Sequence, residues 1–155
     1  YLEQEKDFHR EKITDNQRKK QEEIIEKKKK KRFEIAFLQT KLELLERVER
    51  KEIITKSIIE DKAFQMLKKE FPHENVMEVA SKYSNLNENY LDHLERKVNQ
   101  YDEWRKEGSL QEVKENGKEE LLRLTNPKEY KLYLEEKKNQ EQEQNRTKNR
   151  GFYSR

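Results

Sequence analysis

The sequence predicts an all-α protein in which one very long helix is followed by several shorter helices, extended and without a compact globular core. The first proline is Pro72 and the first glycine is Gly108, so the residues that most often interrupt a helix are absent before that point. Ala, Glu, Lys, Leu and Arg supply 82 of the 155 residues, a composition typical of coiled coils and long helices. Leu, Ile, Val and Phe supply only 34, close to the level at which a chain cannot bury enough apolar surface to fold alone.

The charge and the cysteine count limit the class of protein further. Lys and Arg total 36 against 33 Asp and Glu, a net charge of +3, so opposite charges can pair along exposed helices. The absence of cysteine excludes disulfides and thiolate metal sites and fits a reducing compartment. No apolar run approaches the roughly eighteen residues of a membrane span, and no signal peptide is recognisable. We therefore expect a cytoplasmic protein without a membrane partner, and we expect this chain, which begins at Tyr1, to be part of a longer one.

The first predicted segment, residues 1–71, is a charged helix or coiled coil that would extend roughly 105 Å. Its apolar positions from Ile53 to Phe71 lie on one broad face, which favours docking against several surfaces, or against a folded-back second half of the chain, over a parallel homodimer. Pro72 predicts the first corner, because proline disfavours a helical residue before it. Heptad spacing predicts packing against a partner helix through Leu38, Leu42 and Leu45. Apolar residues also recur every eleven positions, a period typical of nearly straight helix association, at Leu2, Ile13, Ile24 and Ile35.

The second predicted segment, residues 72–125, consists of short amphipathic helices. The first is expected from His73 to Tyr83, and Asn85 with Glu88 has the spacing of a capping box for the next one. Gly108 is expected to end that next helix as a C′ residue. The helix has the clearest apolar stripe of the chain, predicted to pack against a partner helix through Leu91, Leu94, Val98, Tyr101 and Trp104.

The pattern after Gly108 predicts two further short helices. Ser109 and Glu112 form a second capping box, and the piece that they open is expected to close at Gly117. A leucine-rich piece then runs from Lys118 to Thr125.

The third predicted segment, residues 126–155, is a C-terminal helix followed by an extended tail that ends in aromatic residues. Asn126, Pro127 and Glu129 supply a cap residue, a proline at the first helical position and a capping-box glutamate. The helix is expected to dissolve in the polar tract 139–150.

The sequence has little material for catalysis. The three histidines, His9, His73 and His93, have no partner at a metal-binding spacing, and the three glycines are too far apart for a phosphate-binding loop. We therefore expect no enzyme activity, no cofactor and no metal site.

A run of six cations, Lys27, Lys28, Lys29, Lys30, Lys31 and Arg32, is the strongest electrostatic feature. Between Arg18 and Arg32 there are nine basic and three acidic side chains. Neighbouring cations repel one another on a helix, so an acidic partner would stabilise them. The run predicts either contact with a polyanion, such as a microtubule surface or nucleic-acid phosphates, or a solvated helix face.

Two groups of aromatic residues are further candidates. Tyr90, Tyr101 and Trp104 could stack on bases, but their helical spacing favours packing. Phe152 and Tyr153 follow a polar tract and have no local core to join, so we predict that they anchor the tail in a pocket of a partner.

These features together resemble the filamentous coiled-coil proteins of ciliary axonemes, including those bound to doublet microtubules. The resemblance rests on the uninterrupted first segment, the run Lys27 to Arg32, the broken helices after Pro72 and the aromatic tail. It implies a non-catalytic structural protein of the cilium that binds acidic tubulin surfaces and other coiled-coil proteins and has no cofactor.

Two alternatives come from other classes. One is a helical peripheral component of a ribonucleoprotein particle, with Lys27 to Arg32 on ribosomal or spliceosomal RNA phosphates, although a net charge of +3 is low for such a protein. The other is an adaptor whose helix from Leu91 to Trp104 docks into a groove of a partner.

Overall fold

The computed structural model is all-helical, and no strand occurs among the residues that it describes, which are 2–153 for the backbone and 14–146 for the side chains. The all-α prediction is confirmed, and the first helix is the longest. The helices of this part of the chain are α1 (Leu2–Glu49), α2 (Lys56–Glu70), α3 (Val76–Tyr83), α4 (Tyr90–Glu107), α5 (Leu110–Thr125) and α6 (Pro127–Tyr153).

The chain divides into two compact units, each built from two distant stretches of sequence. Unit 1 combines Tyr1–Thr40 with Thr55–Arg96, and unit 2 combines Lys41–Ile54 with Lys97–Arg155. Helices α1 and α4 therefore contribute residues to both units. Each unit has buried apolar side chains of its own, which the low apolar content did not lead us to expect.

The first helix ends at Glu49, so the prediction of one helix over residues 1–71 is wrong. Lys51 adopts the left-handed conformation, with φ of +60°, in the position that glycine usually takes after a helix. Two backbone hydrogen bonds complete a Schellman motif, from the Glu52 amide to the Arg47 carbonyl at 3.1 Å and from the Lys51 amide to the Val48 carbonyl at 2.9 Å. The sequence signal is weak because lysine replaces the usual glycine.

Side-chain caps begin the next three helices. Thr55 caps α2 by accepting a hydrogen bond from the Ile58 amide at 3.3 Å, and Asn75 caps α3. Helix α4 is capped by Asn89, which accepts from the Leu91 amide at 2.9 Å, and not by the predicted Asn85. The predicted corner before Pro72 is confirmed as the end of α2.

An aromatic cluster around Phe33 forms part of the core of unit 1. Phe33 is only 2% exposed, and its ring centroid lies 5.8 Å from that of Tyr90 and 6.4 Å from that of Tyr83. Phe37, one turn further along α1, contacts Tyr90 and His93 edge-on. The α1 stretch of unit 1 is thus held against α3 and the start of α4. Other buried apolar side chains of this unit are Ala36, Ile59, Ala63, Leu67, Phe71, Val79, Ala80 and Leu94.

The core of unit 2 contains residues from α1, α4 and α5. Its buried side chains are Leu45, Val48, Tyr101 and Leu110, and Ile54, Val98, Trp104 and Val113 pack around them. Burial raises the pKa of the Tyr101 hydroxyl to about 12.

Helix α5 continues through Gly117, so the predicted break there is wrong. A Cβ atom at this position would lie 2.6 Å from Cδ2 of Leu42 on α1. The glycine therefore leaves room for the Leu42 side chain in unit 2 and does not end a helix.

Helix α6 begins as predicted. It starts at Pro127, and the Glu129 amide donates to the Asn126 side chain at 3.2 Å. It packs against α5, with Lys137 Nζ 3.6 Å from Glu119 Oε1. The helix continues to Tyr153, so the expectation of an extended tail over this stretch is wrong.

Phe33→Ala is expected to lower the free energy of unfolding by about 3–5 kcal/mol, because it removes a buried ring from the centre of a cluster. Ile53→Ala is the control, since Ile53 is 87% exposed and its truncation should change that energy by less than about 0.5 kcal/mol. Urea denaturation followed by circular dichroism measures both. Equal effects of the two substitutions would contradict the position of Phe33.

Gly117→Val is expected to lower the free energy of unfolding by about 1–3 kcal/mol, because a branched side chain would start where Leu42 already lies. The loss should be smaller in a Leu42→Ala background, which opens that space. A double-mutant cycle should give a coupling of at least about 0.5 kcal/mol. Strictly additive effects would mean that the two helices are further apart.

Candidate polyanion-binding surface

The stretch of α1 from Thr14 to Lys28 is exposed to solvent. Every described side chain from Thr14 to Lys28 is exposed, Lys29 is the first that is partly buried, and Phe33 is the first that is fully buried. This stretch of unit 1 includes the beginning of the predicted basic run. An isolated helix of about fifteen residues is only marginally stable in water, so binding to a partner would add to the helical stability of this stretch.

Polar contacts join α1 to α3 and to the turn before it, on the face of α1 that also holds Phe33. One turn before Phe33, Lys29 Nζ lies 3.0 Å from a carboxylate oxygen of Glu74. Two turns before it, Glu26 accepts a hydrogen bond from the Tyr83 hydroxyl at 2.9 Å and lies 3.4 Å from Lys82 Nζ. These contacts fix α1 where it leaves the core of unit 1.

The same contacts change the ionisation of the groups involved. The hydrogen bond from the Tyr83 hydroxyl, together with the nearby charge of Lys82, lowers the pKa of Glu26. The hydrogen bond to Glu74 and its charge raise the pKa of Lys29. Both shifts favour the charged forms, so the charged groups on this inner face form pairs of opposite sign.

Further acidic residues of α1 are also paired on this face. Arg18 lies 3.7 Å from Asp15 and 4.0 Å from Glu22, one turn away in each direction. With Glu26, these carboxylates repeat at helical spacing in line with Phe33. Of the four acidic residues from Thr14 to Arg32, Asp15, Glu22 and Glu26 therefore lie on the inner face, and Glu23 lies to the side of it.

The opposite face of the same helix is basic. Ile24 lies nine residues before Phe33, which is about two and a half turns and places it on the far side of the helix. It is 53% exposed. Positions one or two turns from it, which share its face, hold no acidic residue, and the lysines among them are Lys20, Lys27, Lys28 and Lys31. We call these four side chains the lysine stripe, and all of them are exposed.

The predicted basic run is thus divided by the fold. Lys29 pairs with Glu74 inside unit 1 and is the least available of the six cations. Lys27, Lys28 and Lys31 belong to the lysine stripe, and Lys30 and Arg32 are exposed outside it. The pairing of Lys29 was missed because its partner, Glu74, is distant in sequence.

The residues predicted to pack against a partner helix pack within this chain. Leu94 is buried in unit 1, and Leu42, Leu45 and Tyr101 are buried in unit 2. The remaining four are partly buried: Leu38 and Leu91 in unit 1, and Val98 and Trp104 in unit 2. The predicted tail anchors, Phe152 and Tyr153, have side chains outside the described residues.

One polar cluster in unit 1 was not predicted. His93 is buried, and its Nδ1 atom lies 2.8 Å from a carboxylate oxygen of Glu88, which Arg96 also contacts. The hydrogen bond with His93 and the charge of Arg96 lower the pKa of Glu88. The histidine also packs edge-on against Phe37.

A surface pocket is another feature of the described part of the chain. Unit 1 has a surface pocket of about 220 Å³ next to the start of α4, where Ile59 and Leu91 lie among the charged residues Lys56, Glu60, Asp92 and Glu95. No group of three or more possible metal ligands occurs among the described residues. In the same part of the chain, no helix has the length and apolar character needed to span a membrane.

Comparisons with protein-family models, with curated proteins and with solved structures found no match for this chain.

The Glu26 carboxyl is expected to titrate below 4.5, its ordinary pKa, because the Tyr83 hydroxyl and Lys82 stabilise the charged form. A lowered pKa in the folded state contributes stability that is complete above pH 4.5 and is lost as the pH falls through the lowered value. Carboxyl carbon NMR shifts measured against pH give the pKa directly.

In that titration, Tyr83→Phe should return the pKa of Glu26 towards 4.5, since it removes the donor. Tyr133→Phe, an exposed tyrosine on α6, should leave it unchanged. An unshifted Glu26 in the natural sequence would mean that the contact between α1 and α3 does not form in solution.

Proposed function

We propose that this chain is a non-catalytic structural protein that lies along a large assembly and docks on an acidic protein surface through the lysine stripe of α1. The observation that carries the proposal is the segregation of charge on an exposed helix. Asp15, Glu22 and Glu26 share the inner face and are paired, whereas the lysines around Ile24 lie on the opposite, exposed face.

The energetics favour such a partner. Lys27 and Lys31 are one turn apart, and like charges at that spacing destabilise a helix by about 0.2–0.5 kcal/mol per pair. An acidic surface relieves this repulsion and also stabilises the stretch of α1 from Thr14 to Lys28, whose side chains are all exposed. Complementary charge would mainly accelerate binding and select the partner.

The specific assembly that we propose is the axonemal microtubule of the cilium, with tubulin and other coiled-coil proteins as partners. Support comes from the resemblance to filamentous axonemal proteins and from the long charged helix. The elongated form that the sequence predicts is part of this proposal, with the two buried cores as folded anchors for exposed helices.

The runner-up is a peripheral component of a ribonucleoprotein particle. Nine basic side chains between Arg18 and Arg32 would also suit phosphates. An adaptor function through the helix from Leu91 to Trp104 has less support, because Leu94 and Tyr101 are buried within the chain.

The test is a triple reversal, Lys27→Glu, Lys28→Glu and Lys31→Glu, assayed by cosedimentation with microtubules assembled from purified tubulin. We expect binding to weaken at least about tenfold, because favourable charge contacts become repulsive. Binding of the unchanged protein should also weaken as salt rises.

The control is Lys128→Glu, Lys131→Glu and Lys138→Glu, three exposed lysines on α6. Each reversal changes the charge by two, so both triple variants go from a net charge of +3 to −3. The control variant should bind nearly as well as the natural sequence. Equal losses in the two variants would indicate a net-charge effect, and tight binding to poly(U) without binding to microtubules would favour the ribonucleoprotein alternative.

A further inference from the structure

The exposed isoleucine at the centre of the lysine stripe carries information about the partner. Ile24 is 53% exposed on the outward face of α1, one turn from Lys20 on one side and from Lys27 and Lys28 on the other. Exposed apolar side chains are common on protein surfaces, and the neighbouring Ile25 is 50% exposed as well. Ile24 differs from it in lying between lysines, so an acidic partner that pairs with those lysines would also cover Ile24. Covering it requires an apolar group on the partner.

From this placement we infer that the lysine stripe binds a folded acidic protein surface in which carboxylates flank an apolar groove, as on the face of an acidic amphipathic helix. The inference rests on the proposed function and makes it more specific. Ile24 enters the groove, and the lysines that surround it pair with the carboxylates on either side.

The charge pattern argues against a second copy of this chain as the partner. In an antiparallel pair of α1 helices centred on Ile24, Lys20 of one copy would face Lys28 of the other. In a parallel pair each lysine would face its own equivalent. Both arrangements place like charges together, which is unfavourable.

The pattern also distinguishes a folded surface from other polyanions. A disordered acidic tail or a nucleic-acid backbone can neutralise the lysines, but neither has a fixed groove for Ile24. Electrostatic and apolar contributions differ in their salt dependence, because salt screens charges and leaves apolar burial nearly unchanged. The two contributions can therefore be measured separately.

The experiment compares Ile24→Ser with Ile25→Ser in cosedimentation with microtubules over a series of salt concentrations. Ile25 is a matched control, since it is 50% exposed and adjacent but lies about 100° round the helix from the stripe. We expect Ile24→Ser to weaken binding roughly five- to tenfold at every salt concentration, with an unchanged salt slope, because apolar burial is lost and charge is not. Ile25→Ser should bind as the natural sequence does.

Poly-L-glutamate serves as a probe that has charge without a groove. Its binding should be lost in the triple lysine reversal and unaffected by Ile24→Ser. If Ile24→Ser binds microtubules normally while the lysine reversal does not, this inference is overturned and the proposed function stands. If the lysine reversal binds normally as well, the proposed function itself fails.

Self-association is checked by sedimentation velocity of the same proteins. A dimer of the natural sequence that Ile24→Ser converts to a monomer would overturn the inference, since the groove would then belong to a second copy. We expect no change in oligomeric state between Ile24→Ser and Ile25→Ser.

Discussion

Burial of Phe33 is the constraint on which the first half of the structure depends. Its ring packs against Tyr83 and Tyr90, and this contact attaches α1 to the short helices of unit 1. The chain has too few apolar residues to extend such a core towards the N-terminal side of Phe33. One continuous helix therefore changes from a core element to a fully exposed one within about two turns.

The distribution of charge on α1 agrees with this change in burial along the helix. Where the helix meets α3 and the turn before it, charged groups pair between elements, with Lys29 on Glu74 and Glu26 on Lys82 and the Tyr83 hydroxyl. On the far side, among the side chains that the structure describes, no other element of unit 1 forms an ion pair with the lysine stripe. A low net charge for the whole chain therefore conceals a strongly one-sided local distribution, and composition alone underestimates how electrostatic this surface is.

Local sequence signals predicted a helix end correctly where the residue types involved have one common role at such an end. Asn126 and Pro127 are of this kind, and α6 begins where they place it. Lys51 ends α1 in a conformation that glycine usually adopts, so nothing in the residue type announces it. Gly117 looks like a helix end but lies within α5, where it leaves room for the Leu42 side chain. At the candidate site the basic run was visible, but the pairing of Lys29 was not, because its partner, Glu74, lies far along the sequence in the turn between α2 and α3.

The exposed beginning of α1 also has a dynamic consequence. Local opening of a helix costs little where no side chain is buried and approaches the cost of global unfolding where the core begins. Backbone amides within the single helix α1 should therefore span nearly the whole range of hydrogen-exchange protection, rising steeply between Lys28 and Phe33. A partner bound to the exposed stretch would slow the exchange of amides before Lys28. The amides after Phe33, which are protected in either case, would serve as an internal reference.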